Sequence, residues 1–77
     1  MRVEINEYIV ADSKICHGQP TFKGTRIMVS IVLEMLQDKA TIKEILEAYP
    51  SLTEEHIGAA LEFAAELTGR RFKLVSA

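Results

Sequence analysis

Cys16 and His17 stand side by side and are the first residues in this sequence with the makings of nucleophilic or metal chemistry. A cysteine nucleophile needs a base within hydrogen-bond reach and a third group that orients the base. Neighbouring residues of an extended segment point apart, and no orienting group follows. His56 is the only other histidine, and three N/S donors at unrelated spacing do not match a zinc site. Gly18 and Gly24 lack both the Lys-Ser/Thr of a Walker loop and a GxGxxG run, so they read as turn residues. With no carboxylate pair, triad or metal set, the expectation is a non-catalytic protein without a cofactor.

What remains is recognition by charge. Arg26 follows a turn, and its planar fork suits a carboxylate at a dimer seam, a carboxylate in its own fold, or a phosphate. Residues 1–28 carry four basic and three acidic side chains, residues 29–69 two basic and eight acidic, and the last eight residues hold Arg70, Arg71 and Lys73 with no acid. Glu54, Glu55, Glu62 and Glu66 therefore form an acidic series that fits a basic protein, with Phe63 among them as an apolar contact. The same series also reads as an ordinary solvated face. Contact with nucleic acid would fall to Lys23, Arg26, Arg70, Arg71 and Lys73, gathered on one face by a dimer.

The elements that must position these residues follow from local pattern. Tyr8-Ile9-Val10-Ala11 and Arg26-Ile27-Met28-Val29 read as strands able to pair, joined by an ordered loop in which Gly24 supplies a positive φ. Ser30 is placed to cap a first helix carrying Ile31, Val32, Leu33, Met35 and Leu36 and ending near Asp38-Lys39. Thr41 with Glu44 three residues on is a capping box for a second helix bearing Ile42, Ile45, Leu46 and Tyr49, which Pro50 stops. Thr53 opens a third, with Leu52 and Ile57 as a hydrophobic staple and Ile57, Ala60, Leu61 and Ala64 at helical spacing; Gly69 is its expected end. Ala59, Ala65 and Leu67 widen the apolar surface of this helix beyond one stripe, which suggests a second contact face. Arg71-Phe72-Lys73-Leu74-Val75 alternates, and reads as an added strand, a partner-binding arm or an unpacked terminus.

The fold class expected is mainly α: a tri-helical, helix-turn-helix core over residues 29–69, a β-hairpin or β-arm over 1–28 and a basic tail over 70–77, all one domain. A chain of 77 residues buries only about 60% of its unfolded surface, so a homodimer or higher homo-oligomer is expected. One cysteine allows no internal disulfide and fits a reducing cytoplasm, and no apolar run approaches membrane-spanning length.

The run Ile15-Cys16-His17-Gly18-Gln19-Pro20-Thr21-Phe22-Lys23-Gly24-Thr25-Arg26-Ile27, followed by Tyr49-Pro50-Ser51-Leu52-Thr53, resembles the bacterial family known as domain of unknown function 433, over roughly Ile9 to Ala65. The resemblance implies a homeodomain-like helix-turn-helix core with an N-terminal β-element. It also implies the role of antitoxin to a PIN-like ribonuclease. Two departures stand out: Lys39 where the pattern tends to have Gly after the first helix, and Gly58 where Arg is common on the third. The function expected is thus a non-catalytic antitoxin-like protein that neutralises a PIN-like ribonuclease toxin, with operator binding left open. The competing expectation is a sequence-specific DNA-binding regulator with no toxin.

Overall fold

The computed structural model describes residues 1–71, without the side chains of Arg70 and Arg71; the expectations for Lys73 and the rest of the tail lie outside the described residues. The elements are β1 (Arg2–Glu4), β2 (Ile9–Asp12), a short 3-10 turn (Cys16–Gly18), β3 (Thr21–Phe22), α1 (Val29–Gln37), α2 (Ile42–Ala48) and α3 (Glu54–Arg71). The strands form one antiparallel sheet in the order β1-β2-β3, with Val3 opposite Ala11 and Ile9 opposite Phe22. The architecture is mixed and roughly half helical, where a mainly helical fold with a hairpin or arm was expected.

The difference arises between residues 20 and 29. No strand forms at Arg26–Val29. Instead the Thr25 hydroxyl donates to the Phe22 carbonyl at 2.8 Å and accepts from the Ile27 N–H at 3.0 Å, while the Phe22 N–H reaches the Ile27 carbonyl at 3.1 Å. These local bonds close a loop and leave Thr21–Phe22 as the strand beside β2, with Met28 retained only as an isolated bridge to Thr21. At the turn's tip Gly24 has φ +77°, as expected. The other unexpected element, β1, is an exposed edge strand of three residues.

Helix boundaries were legible where a side chain sets them. The capping box of α2 is present in full: Glu44 N–H to Thr41 Oγ1 at 3.1 Å and Thr41 N–H to Glu44 Oε1 at 2.8 Å. At α1 the expected Ser30 cap does not form. Met28 holds the cap position with no side-chain bond, and the Pro20 carbonyl, 3.0 Å away, takes the Val29 N–H. α1 ends in a Schellman arrangement, Ala40 N–H to Met35 O at 2.9 Å and Lys39 N–H to Leu36 O at 3.0 Å, with Lys39 at φ +68°. α3 continues through Gly69 to Arg71 rather than stopping there.

The core joins one face of the sheet to all three helices. Ile9 and Phe22 pack with Val29 and Val32 of α1, Ile45 of α2, and Leu52, Ile57, Ala59 and Ala60. Leu52 and Ile57, expected as a staple, are both buried. Contacts along α3 advance from Ala59 at Asn6 to Leu67 at Val3, so this helix runs antiparallel to β1.

Candidate protein-interaction face

The start of α3 fixes where its carboxylates point. Thr53 is followed at the third helical position by His56 rather than Glu, and the imidazole does what a capping-box carboxylate does: Nδ1 accepts the Thr53 N–H at 3.0 Å, with the Thr53 hydroxyl at 2.9 Å. Nδ1 is thereby an acceptor and Nε2 carries the ring proton. The ring also packs between Tyr8 and Phe22, at centroid distances of 4.9 Å and 5.5 Å. His56 thus serves the helix and the core at once.

With α3 held this way, Glu55, Glu62 and Glu66 fall on one stripe, and Glu54 lies about 100° round the helix from Glu55. All four are exposed. The turn between β1 and β2 approaches the same helix through Asn6. Its carboxamide oxygen accepts the N–H groups of Tyr8 and Ile9 at 2.9 and 3.0 Å, and its amide nitrogen donates to the Ala59 carbonyl at 3.4 Å. This brings Glu7 across from Glu55 and Glu62, around a hollow of about 260 Å³ floored by Gly58 and Ala59 and flanked by Tyr8. A Cβ built on Gly58 meets nothing within 4 Å, so glycine leaves a notch here that a larger residue would fill. Sequence reasoning missed Glu7, and no local signal marks it, because a contact between Asn6 and Ala59 places it.

Phe63 is half-buried against the core, so much of the ring expected to meet a partner is structural. Its remaining edge, with Glu66 and Leu67, lines a second hollow against β1. Leu61 on α3 stays 49% exposed, next to exposed Ala65, while Ala59 and Ala60 are buried.

Of the expected nucleic-acid set, Lys23 and Arg26 are the two whose side chains are described. Lys23 Nζ lies 2.6 Å from Glu4, and Glu4 also binds Arg2 Nε at 2.7 Å, with Arg2 reaching on to Asp12 at 3.6 Å. The Lys23 hydrogen bond holds the Glu4 carboxyl below its ordinary range, and the Lys14 backbone N–H does the same for Asp12. Lys23 is therefore engaged within the sheet. Arg26 is exposed at its loop with no ion pair among the described residues, and its carbonyl accepts the Cys16 thiol at 3.5 Å. The pairing expected within its own fold is not present there. Arg70 and Arg71 are the last residues of α3. Among the described residues no three His, Cys, Asp or Glu side chains are grouped to hold a metal ion. None of their helices is long and apolar enough to cross a membrane.

Fold and face together define a small mixed α/β domain that presents an acidic helix. Residues 9–64 match the model of the family described as protein of unknown function (DUF433), and the chain belongs to that family. No curated protein and no solved structure gives a significant match.

Proposed function

We propose that this protein is a non-catalytic, antitoxin-like binding module that neutralises a PIN-like ribonuclease by presenting the acidic face of α3 to the enzyme's basic substrate groove. The observation that carries the reading is the convergence of Glu7, Glu55 and Glu62 around the Gly58 notch, with no cation of this chain paired to them among the described residues. Carboxylates fixed on a rigid helix stand in for phosphates, and the notch admits an arginine or lysine side chain between them. Self-association through the exposed Leu61 and Ala65 side of α3, and a homeodomain-like helix-turn-helix role for α1 to α3, belong to the same proposal. DNA contact through α3 is disfavoured, because Glu54, Glu55 and Glu62 would face phosphates.

The test is co-purification of the tagged protein with the product of its neighbouring gene, followed by assay of ribonuclease activity. A stable complex that silences a nuclease supports the reading. Glu55→Lys with Glu62→Lys is then expected to weaken the complex at least roughly tenfold, about 1.4 kcal/mol, while both sites, being exposed, leave the thermal melt near that of the parent. An unchanged affinity refutes the acidic-face mechanism. A chain that purifies without a nuclease and binds duplex DNA, weakening steeply as salt rises, would establish the regulator reading instead.

A further inference from the structure

The two edges of the sheet end differently. Beyond β3 the chain closes its own edge, with the Met28 bridge to Thr21 and the Phe22 N–H on the Ile27 carbonyl at 3.1 Å. Beyond β1 no described strand is paired. The ladder with β2 fixes which groups of β1 face outward. The Met1 carbonyl accepts the Ser13 N–H at 2.9 Å and the Ile5 N–H donates to the Ile9 carbonyl at 3.0 Å, so the odd-numbered residues bond toward β2. In an antiparallel ladder the residues between them turn both backbone groups the other way, and in β1 those are Arg2 and Glu4. Val3 stands between them on the helix-covered face, opposite Ala11, and is 50% exposed. Leu67 of α3, which borders the same hollow, is 39% exposed.

We propose that β1 of a second copy of this chain pairs along this edge, antiparallel about a two-fold axis at Val3, to make one continuous sheet across both molecules. The strand is complementary to itself in one register. With Val3 opposite its own copy, Arg2 lies opposite Glu4 of the second molecule, and the outward N–H and C=O groups of each such pair meet as a hydrogen-bonded pair. A shift by one residue sets outward groups against inward ones. A shift by two sets Arg2 against Arg2 or Glu4 against Glu4, and like charges directly opposite destabilise a ladder. Neither charge has to leave its own molecule: the Arg2–Glu4 contact at 2.7 Å within each strand becomes one side of a square of alternating signs. Val3 and its copy then form a close, non-hydrogen-bonded pair. Leu67 of each molecule flanks that pair, because the axis leaves both sets of helices on the same side of the sheet. An open strand edge is a template for another strand. The pairing does not depend on the ribonuclease reading, and it uses a different surface from the Leu61 and Ala65 side of α3.

The experiment is sedimentation equilibrium on the full chain, with cysteine trapping to read the register. A dimer is expected. In a Cys16→Ser background, Val3→Cys should oxidise to a disulfide-linked dimer at least roughly tenfold faster than Glu4→Cys. The axis brings the Cα of position 3 within about 4.5 Å of its copy, and leaves position 4 displaced from its own copy by about 7 Å along the strand. Leu61→Asp should leave both the dimer and this ordering unchanged. A monomer at every concentration overturns the proposal, as do equal trapping rates at positions 3 and 4. Loss of the dimer in a folded Leu61→Asp chain also overturns it, and assigns self-association to the α3 side instead.

Discussion

Replacing Lys39 by glycine should relieve backbone strain that replacing it by alanine leaves in place. Lys39 sits at φ +68° immediately after α1, where both terminal hydrogen bonds of the Schellman arrangement run through its neighbourhood at 2.9 and 3.0 Å. An L-residue in the left-handed region costs roughly 1–2 kcal/mol, because its Cβ crowds the following carbonyl oxygen. Glycine avoids that cost but loses about 0.5–1 kcal/mol more in backbone entropy on folding. The backbone terms alone therefore favour glycine by about 0.5–1 kcal/mol, equivalent to roughly 3–6 °C in melting temperature. The lysine charge near a helix C-terminus is itself worth about 0.3–1 kcal/mol, so the informative comparison is Lys39→Gly against Lys39→Ala, which share the lost charge and differ in the Cβ. Glycine should exceed alanine by about 0.5–1 kcal/mol in urea unfolding followed by circular dichroism. Asp38, at φ −83°, is the control: glycine there gains nothing sterically and should destabilise. If the two variants at position 39 are equally stable, backbone strain at Lys39 is not what the dihedral angle implies.

Other consequences follow from the same geometry. Gly24→Val is expected to lower the melting temperature by roughly 10 °C; space is open around a Cβ there, so the penalty is conformational, set by φ +77°, and a parental melt would show that the loop adapts. Thr21→Val should raise stability by about 1 kcal/mol in chemical denaturation, since the fully buried Thr21 hydroxyl has no hydrogen-bond partner among the described residues and valine keeps the β-branched shape. Glu4, Asp12 and Glu44 all have folded-state pKa values below the ordinary range, held there first by Lys23, by the Lys14 N–H and by the Thr41 N–H respectively. Carboxyls lowered on folding contribute stability that is present above their unfolded values and lost as pH falls through the folded ones. Melting temperatures should therefore be flat from neutrality to about pH 5 and drop below about pH 4, and Glu4→Gln with Asp12→Asn should flatten that fall.

The parts of the fold that were legible are those fixed within a few residues of chain. The Thr41 and Glu44 capping box, the Gly24 turn, the stop before Pro50 and the left-handed position at Lys39 each depend on neighbours within about one helical turn, and each stands as the pattern implies. Failures came where a distant or atypical group supplied the bond. α1 begins one residue before Ser30 because the Pro20 carbonyl, not a hydroxyl, receives its first N–H. α3 is capped by an imidazole in place of a carboxylate, and so His56 gave no helix-start signal of its own. The β-branched run at Arg26–Val29 has strand propensity, but the Thr25 side chain closes the loop before a ladder can form. In the site, the glutamates of α3 could be found from spacing. Glu7 could not, because its place beside them depends on a hydrogen bond between residues 53 positions apart.

Folding also sharpens a charge asymmetry that the net value of −2 conceals. Arg2 and Lys23 are drawn into pairs with Glu4 and Asp12 in the sheet, which removes two cations from the set available to a partner and spends them on carboxylates outside the Gly58 hollow. Glu7, Glu54, Glu55 and Glu62 keep their charge toward solvent without a paired cation among the described residues. Each phosphate neutralised by a DNA-binding protein contributes through released counterions, and a helix bearing these side chains repels phosphates instead. The same charges add to the long-range attraction of a basic protein surface and speed encounter with it, an effect that salt screens over about 10 Å. An association built this way should lose on-rate with added salt while its dissociation rate changes far less. That separation of salt effects between the two rate constants distinguishes an acidic face that steers a protein partner from a basic face that binds nucleic acid.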